Sequence, residues 1–174
     1  AVAPVIGQNF GAGLYHRVRQ TLTQSLIMSA AYTVVTSIVL SALSGRIAGA
    51  FNAAGKTYDS IVFFCSFLSV SYFFVAALFI ANAAFNNLDY ARRAAALSWG
   101  RVTVGTIPFV YAGATLAGWK GVLIGNAIGA VVFGSLAVIG AYRVTTEEAL
   151  RSRHVLLDDR QRSSEGVCQS RSTK

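Results

Sequence analysis

One segment in the middle of the chain carries polar and aromatic side chains in the spacing of single helix faces. In IVFFCSFLSVSYFFVAALFIANAAFNN, one face holds Cys65, Ser69, Tyr72, Phe79 and Asn86, and a narrower one holds Ser71, Leu78 and Asn82. Such a face of an apolar helix suits a cavity for amphipathic ligands, and aromatic rings also attract cations. The alternative is hydrogen bonding between neighbouring helices. We take Tyr72, Asn82 and Asn86 as candidates for a substrate cavity.

The sequence lacks the residue groups that enzymes and metal sites use. Both histidines, His16 and His154, fall outside the uncharged tracts, and no acidic residue falls inside one. Cys65 and Cys168 lie far apart without metal-ligand spacing, which predicts two free thiols. We therefore expect no catalytic residue, no metal and no cofactor. A carboxylate inside the membrane usually carries the proton or Na⁺ of an ion-coupled transporter, so any coupling site is expected elsewhere.

The composition is that of an integral membrane protein. Of the 174 residues, 54% are hydrophobic and 13% charged, whereas about 25% are charged in a soluble domain. Four tracts carry no charge: Thr21–Gly45, Ser60–Leu88, Val102–Trp119 and Gly121–Tyr142. Each approaches or exceeds the roughly 20 residues that a helix needs to cross a membrane. The tracts show neither the alternation of barrel strands nor the polar face of soluble helices.

The predicted fold is therefore all-α, with four transmembrane helices that follow a short N-terminal helix stub. Residues 1–13 are the stub, read as the end of a truncated transmembrane helix; residues 14–144 are the four-span bundle, and 145–174 a largely disordered tail. The first span covers 21–45 after a polar turn, the second covers 60–81 and continues through 88, the third begins near 94, and the fourth covers 121–142. Only Gly118, Trp119 and Lys120 are available to turn the chain before the fourth span.

Three features of the last two spans bear on packing. Gly121, Gly125 and Gly129 recur at i, i+4 and i+8, which predicts a face that another helix can approach closely. Pro108 removes one helical hydrogen bond and is predicted to kink the third span. Arg101 is expected to extend its guanidinium toward the nearer membrane surface.

The distribution of positive charge predicts the orientation. With both ends of the bundle cytoplasmic, twelve of the 15 Lys and Arg residues lie inside, and Arg46, Lys56 and Lys120 lie outside. The net charge of +8 thus reflects topology, and no nucleic-acid partner is expected. In the tail, Thr145 and Glu148 have capping-box spacing, which predicts the start of a short interfacial helix. The polar residues after Asp158 are predicted to be disordered.

Three stretches together resemble the multidrug and toxic compound extrusion (MATE) family of efflux transporters. They are PVIGQNFGAG, IANAAFNNLDYARRAAALSWGRVTVGTIPFVYAG and WKGVLIGNAIGAVVFG. The resemblance implies twelve helices in two six-helix lobes around a central cavity, with this chain as the C-terminal part. A motif at the cytoplasmic end of the second helix of a lobe is matched by Pro4, Gln8, Asn9, Gly11 and Gly13. The stub is then the end of helix eight, and the four spans are helices nine to twelve.

The resemblance also implies a function. It predicts a non-enzymatic exporter of organic, often cationic and amphipathic, compounds in exchange for H⁺ or Na⁺, by alternating access. Its partners are substrate, coupling cation, lipid bilayer and the missing N-terminal lobe, and its location is the cell (inner) membrane. Some members carry a coupling carboxylate in the tenth helix, and this sequence has none there. The alternatives are a lipid or polysaccharide flippase of related architecture and a non-transporting four-helix membrane protein.

Overall fold

The computed structural model describes residues 2–172, with side chains from residue 2 to residue 152 and at residue 157. Helices make up almost all of this backbone, and no strand occurs within it. They are α1 (Val2–Gly11), α2 (Tyr15–Ala50), α3 (Lys56–Phe63), α4 (Tyr72–Asn87), α5 (Ala91–Thr103) and α6 (Ile107–Ser172). Three helical stretches are long and apolar enough to cross a membrane: Tyr15–Ala50, Lys56–Asn87 and Ala91–Ser152. The predicted all-α membrane fold is confirmed.

The short helix α1 ends in a Schellman motif. Gly13 adopts a φ of 70°, its N–H donates to the Phe10 carbonyl at 2.9 Å, and the Leu14 N–H donates to the Asn9 carbonyl at 2.8 Å. This left-handed position favours glycine, which explains why the stretch ends in GAG.

The first full pass, α2, is longer than predicted. It contains 36 residues, about 54 Å at 1.5 Å per residue, which exceeds the roughly 30 Å hydrocarbon core. Its first three turns carry Arg17, Gln20 and Gln24, all exposed. Large apolar side chains along its middle are also exposed, among them Met28 at 77% and Tyr32 at 73%. In a membrane this surface is free to face lipid or further helices.

The second pass runs from α3 to α4 without a loop but changes its helical winding. Phe64–Leu68 form a turn of π-helix and Ser69–Ser71 a turn of 3₁₀-helix. Ser69 and Ser71 each donate a side-chain hydrogen bond back along the helix, to the carbonyls of Cys65 at 3.0 Å and Leu68 at 2.6 Å. Such bonds compete with regular helical pairing and favour bending.

The third and fourth passes form a tight antiparallel hairpin within α5 and α6. Ala117 and Gly118 leave helical geometry, with Gly118 at a φ of 58°. We call residues 107–116 the first arm of α6 and residues 119–172 the second arm. A Cβ atom on Gly129 would strike the backbone of Gly105, although an unbroken helix would separate these residues by about 36 Å. The chain therefore reverses at Gly118, and the structure has four passes.

The core lies at the end of the bundle where α1 ends and α2 begins. Ile6, Val18, Leu22 and Phe85 are almost completely buried there. They pack in one cluster with the last turns of α4, the start of α5 and the second arm of α6. The opposite half of the bundle buries fewer large side chains. Most of the large buried side chains of this chain therefore pack at one end of the bundle.

The tail begins as a continuation of the last helix. The second arm of α6 continues through Ser172, and the largely disordered tail stays a prediction. No Gly or Pro occurs between Arg143 and Glu165, so nothing in the sequence ends the helix there. The predicted cap at Thr145 is wrong, because Thr145 is buried within the helix and its hydroxyl donates to the Ala141 carbonyl at 2.7 Å.

Candidate functional site

A cleft of about 380 Å³ lies between α2 and the irregular part of the second pass. Its walls combine hydroxyl groups with aromatic rings: Tyr32, Thr33, Thr36, Ser37, Leu40, Phe64, Ser69 and Tyr72. Six of these eight side chains carry a hydroxyl. The surface that the cleft exposes is nevertheless almost wholly apolar, and the Thr33 and Ser69 hydroxyls already donate to backbone carbonyls. The cleft therefore suits the apolar or aromatic part of an amphipathic molecule.

The π and 3₁₀ turns shape the wall of this cleft. The backbone N–H of Ser69 donates to the Phe64 carbonyl, five residues earlier. Across the cleft, the Ser37 hydroxyl is buried without a hydrogen-bond partner among the described residues. A π turn inside a helix is frequent at functional sites, and an unpaired buried hydroxyl can bond to a ligand or a water molecule.

Tyr72 lies in the cleft at the start of α4. Its side chain is 50% exposed, and its ring meets the Phe64 ring edge to face with centroids 5.8 Å apart. The ring is therefore covered on one side by Phe64 and otherwise half exposed. An exposed aromatic ring in a largely apolar cleft can attract an organic cation.

Asn82 lies away from the cleft, between α4 and α5. Its Nδ2 donates to the Ser98 hydroxyl at 2.8 Å, and its Oδ1 is buried without a described partner. This is the interhelical hydrogen bond that the sequence offered as the alternative to a cavity. Asn86 is exposed near the end of α4, more than 20 Å from Tyr72 by helical rise. The three candidates thus occupy three different environments and do not converge.

Gly121, Gly125 and Gly129 lie where the two arms of the hairpin meet. A Cβ atom on Gly121 would strike the Gly113 carbonyl, one on Gly125 the Phe109 carbonyl, and one on Gly129 the Gly105 carbonyl. The structure thus places the glycine face against the first arm of α6 and the turn before it. Such backbone contact requires positions without side chains.

The helix is interrupted at 104–106, directly before Pro108. Pro108 is in the first turn of α6, where it lacks only an N–H that has no helical acceptor. Ahead of this break, the Thr106 hydroxyl donates to the Arg101 carbonyl at 3.0 Å, and the Gly105 N–H donates to the Gly100 carbonyl at 2.8 Å. The break therefore leaves few backbone groups unpaired.

Sequence reasoning missed a polar link at the packed end of the bundle. Tyr90, in the connection between α4 and α5, donates its hydroxyl to Glu148 Oε1 on α6 at 2.7 Å. The Arg93 guanidinium lies 4.6 Å from the centre of the Tyr90 ring, and Arg151 approaches Glu148 at 4.0 Å. The hydrogen bond to Glu148, followed by burial, raises the pKa of Tyr90. The two residues are 58 positions apart, so the spacing of residues along one helix could not predict that they pair.

Comparison with known proteins assigns these features to a family. The MatE family model matches residues 1–112, which is more than half of the chain. The chain belongs to the MatE family. The match begins in α1 and ends in the first arm of α6, so it includes the Schellman motif, the cleft and both Asn candidates. A comparison with curated proteins found no match.

A solved structure supports the MatE fold independently. The chain is similar to the crystal structure of the Vibrio cholerae MATE transporter VcmN in the bent form, with a TM-score of 0.79 and 18% sequence identity. The likeness covers 85% of this chain and 34% of that transporter. The chain thus spans about a third of the transporter's length, and at this identity the likeness concerns the fold.

Proposed function

We propose that this chain forms the C-terminal part of a secondary transporter that exports organic, often cationic and amphipathic, compounds in exchange for H⁺ or Na⁺. The observation that carries the proposal is the MatE family match over residues 1–112. The cleft at Tyr72 adds a physical reason, because its apolar lining and half-exposed aromatic ring suit an amphipathic cation. The protein then resides in the cell (inner) membrane as a multi-pass protein with a cytoplasmic tail.

In this proposal the ion and the substrate compete for a shared or coupled site, and lobe movement exposes that site to each side in turn. The acidic side chains described in this chain are Asp59, Asp89, Glu147 and Glu148, at the ends of the passes or in their connections. We place the coupling carboxylate in the N-terminal lobe that the family resemblance implies. The contribution of this chain is then one wall of the substrate path.

Replacement of Tyr72 by alanine in the native gene product tests the proposal. We expect export of rhodamine 123, a cationic aromatic dye, to fall about fivefold, which corresponds to roughly 1 kcal/mol of lost aromatic contact with the cation. The measurement is dye transport in membrane vesicles, driven separately by a proton gradient and by a Na⁺ gradient. The gradient that supports transport identifies the coupling ion.

Tyr111→Ala is the matched control, because Tyr111 is 74% exposed on α6 and does not line the cleft. Both variants should reach the membrane in the same amount as the wild type. Equal transport by Tyr72→Ala and wild type removes Tyr72 from the substrate path. Absence of transport under either gradient in the wild type contradicts the exporter proposal for this dye.

A further inference from the structure

An apolar groove of about 390 Å³ lies between the second pass and the second arm of α6, and it shares no residue with the Tyr72 cleft. Phe63 and Phe67 belong to one wall, and Ile124, Ile128 and Val131 belong to the other. Residues three or four positions apart lie on one face of a helix. The two walls are therefore helix faces, and the groove runs along the helices.

The chemistry and length of the groove suit a hydrocarbon chain. Ser71 is the one polar residue among the nine described residues that line it, and its hydroxyl already donates to the Leu68 carbonyl at 2.6 Å. The lining on α6 extends from Ile124 to Val132, about 12 Å of helix at 1.5 Å per residue. The hydrocarbon of one membrane leaflet is about 15 Å deep, so the groove extends through most of a leaflet.

A lysine lies at one end of this groove. Lys120 precedes Ile124 by one turn on the same face of α6. Its Nζ lies 5.8 Å from the centre of the Phe63 ring and 5.3 Å from the centre of the Trp119 ring. Phe63 is itself part of the groove wall. The contact between the two therefore places the ammonium where the groove ends.

The Lys120 ammonium is accessible to an anion. Its side chain is exposed, and it forms no ion pair with any residue that the structure describes, Asp59 on the Phe63 wall included. The rings beside it attract the cation without accepting conventional hydrogen bonds from its N–H groups. Trp119 packs edge to face on Phe63, with centroids 6.0 Å apart, and tryptophan is typical of the membrane–water interface. Lys120 is thus expected at the depth of lipid headgroups, and the groove at the depth of their acyl chains.

We propose that this groove binds one anionic phospholipid, with its phosphate on the Lys120 ammonium and one acyl chain between the two walls. A groove without free polar groups favours hydrocarbon, because a polar occupant would lose its hydrogen bonds to water there. A lysine at the headgroup end adds an attraction for negative charge. Phosphatidylglycerol has both features. The site requires no transported compound and is independent of the proposed export function.

Lipid titration of the full-length protein tests the site. The protein is purified in detergent, stripped of lipid and titrated with dioleoylphosphatidylglycerol, and native mass spectrometry measures the affinity for the first bound lipid. We expect Lys120→Gln to weaken this affinity about fivefold, which is the effect of one lysine near an anionic lipid surface. Ala127→Phe places a ring in the groove. It should weaken the affinity at least as much, because the ring takes the volume that the acyl chain needs.

Two control variants carry the same substitutions outside the groove. Arg46→Gln removes a positive charge from the same end of the bundle, and Ala114→Phe adds a ring to the first arm of α6; both residues are exposed, and neither lines the groove. Both should bind the lipid as the wild type does.

Dioleoylglycerol, which has the same chains without the phosphate, separates the two parts of the site. Its binding should fall in Ala127→Phe and stay unchanged in Lys120→Gln. Wild-type affinity for phosphatidylglycerol in both Lys120→Gln and Ala127→Phe contradicts the inference, and it is the result expected if another helix of the full-length protein fills the groove. An equal loss in Lys120→Gln and Arg46→Gln shows an effect of surface charge alone and also contradicts the inference.

Discussion

The Tyr90–Glu148 hydrogen bond connects two segments that are 58 residues apart in the chain. Tyr90 belongs to the short connection between α4 and α5, and Glu148 to the second arm of α6. The Glu148 side chain is only 16% exposed, so the bond is partly shielded from water. A hydrogen bond to a charged acceptor in this position contributes more than one at the open surface.

Tyr90→Phe removes this bond and nothing else of the ring. We expect the variant to unfold at lower temperature near neutral pH, with a loss of about 1.5 kcal/mol for a hydrogen bond to a charged acceptor. Thermal unfolding of the full-length protein in detergent measures the difference. Tyr111→Phe is the control, because Tyr111 is exposed and has no described hydrogen bond.

The same variant gives a pH dependence with a definite sign. The folded-state pKa of Tyr90 is raised above 10.0, so the folded protein retains the phenol proton more firmly than the unfolded chain. The stabilisation is then complete below pH 10 and lost as the pH rises through the folded pKa. The difference between wild type and Tyr90→Phe should shrink over that range. A constant difference contradicts the link.

At the scale of elements, the hairpin of the third and fourth passes depends on backbone contact. Gly125→Ala adds a Cβ that would meet the Phe109 carbonyl and lie 2.9 Å from the Val110 nitrogen. Neither backbone atom can move as a flexible side chain can. We therefore expect a loss of about 1–3 kcal/mol of stability as the arms separate, measured by thermal unfolding.

Gly49→Ala is the matched control for this substitution. Gly49 lies near the end of α2, and a Cβ there would meet no atom within 4 Å. Replacement of a helical glycine by alanine in open space should be neutral or stabilising by about 0.5–1 kcal/mol. Equal effects at Gly49 and Gly125 contradict the close approach of the two arms.

The sequence predicts the passes well and their internal geometry less well. The length of each uncharged tract locates a pass, because a membrane span must be apolar over a known distance. The turn before the fourth span was predicted at Gly118–Lys120 and is observed at Ala117 and Gly118. The π turn at Phe64–Leu68 contains no Gly or Pro, so no residue in it predicts an irregular turn. The Ser69 and Ser71 hydroxyls compete there with backbone N–H donors for carbonyl acceptors, and the outcome of that competition depends on tertiary packing.

The candidate site shows the same limit. Tyr72, Asn82 and Asn86 were grouped by helical periodicity, which locates a face but not its neighbours. The winding change before Tyr72 and the contact of Asn82 with α5 place them in separate environments. The wall that α2 supplies to the cleft, including Ser37, had no signal in the sequence beyond scattered hydroxyls.

At the scale of the whole molecule, the exposed apolar surface and the positive charges define how the bundle sits in a membrane. The connections at Lys56 and at Lys120 lie at one end of the passes, and Arg92, Arg93 and Arg143 lie at the other. The end of the passes whose connections carry more Lys and Arg residues is the one retained in the cytoplasm. The proposed orientation therefore puts Lys120 outside and the tail inside.

Cysteine labelling in intact cells tests this orientation with the native residues. Cys168 should resist a membrane-impermeant maleimide until the cells are permeabilised. Lys120→Cys, in a Cys168→Ser background, should react in intact cells, because Lys120 is exposed just beyond the turn at Gly118. The other cysteine of this sequence, Cys65, is only 5% exposed and should stay unlabelled in both proteins. The reverse pattern places the tail outside and contradicts the orientation, while the hairpin and its glycine contacts hold in either case.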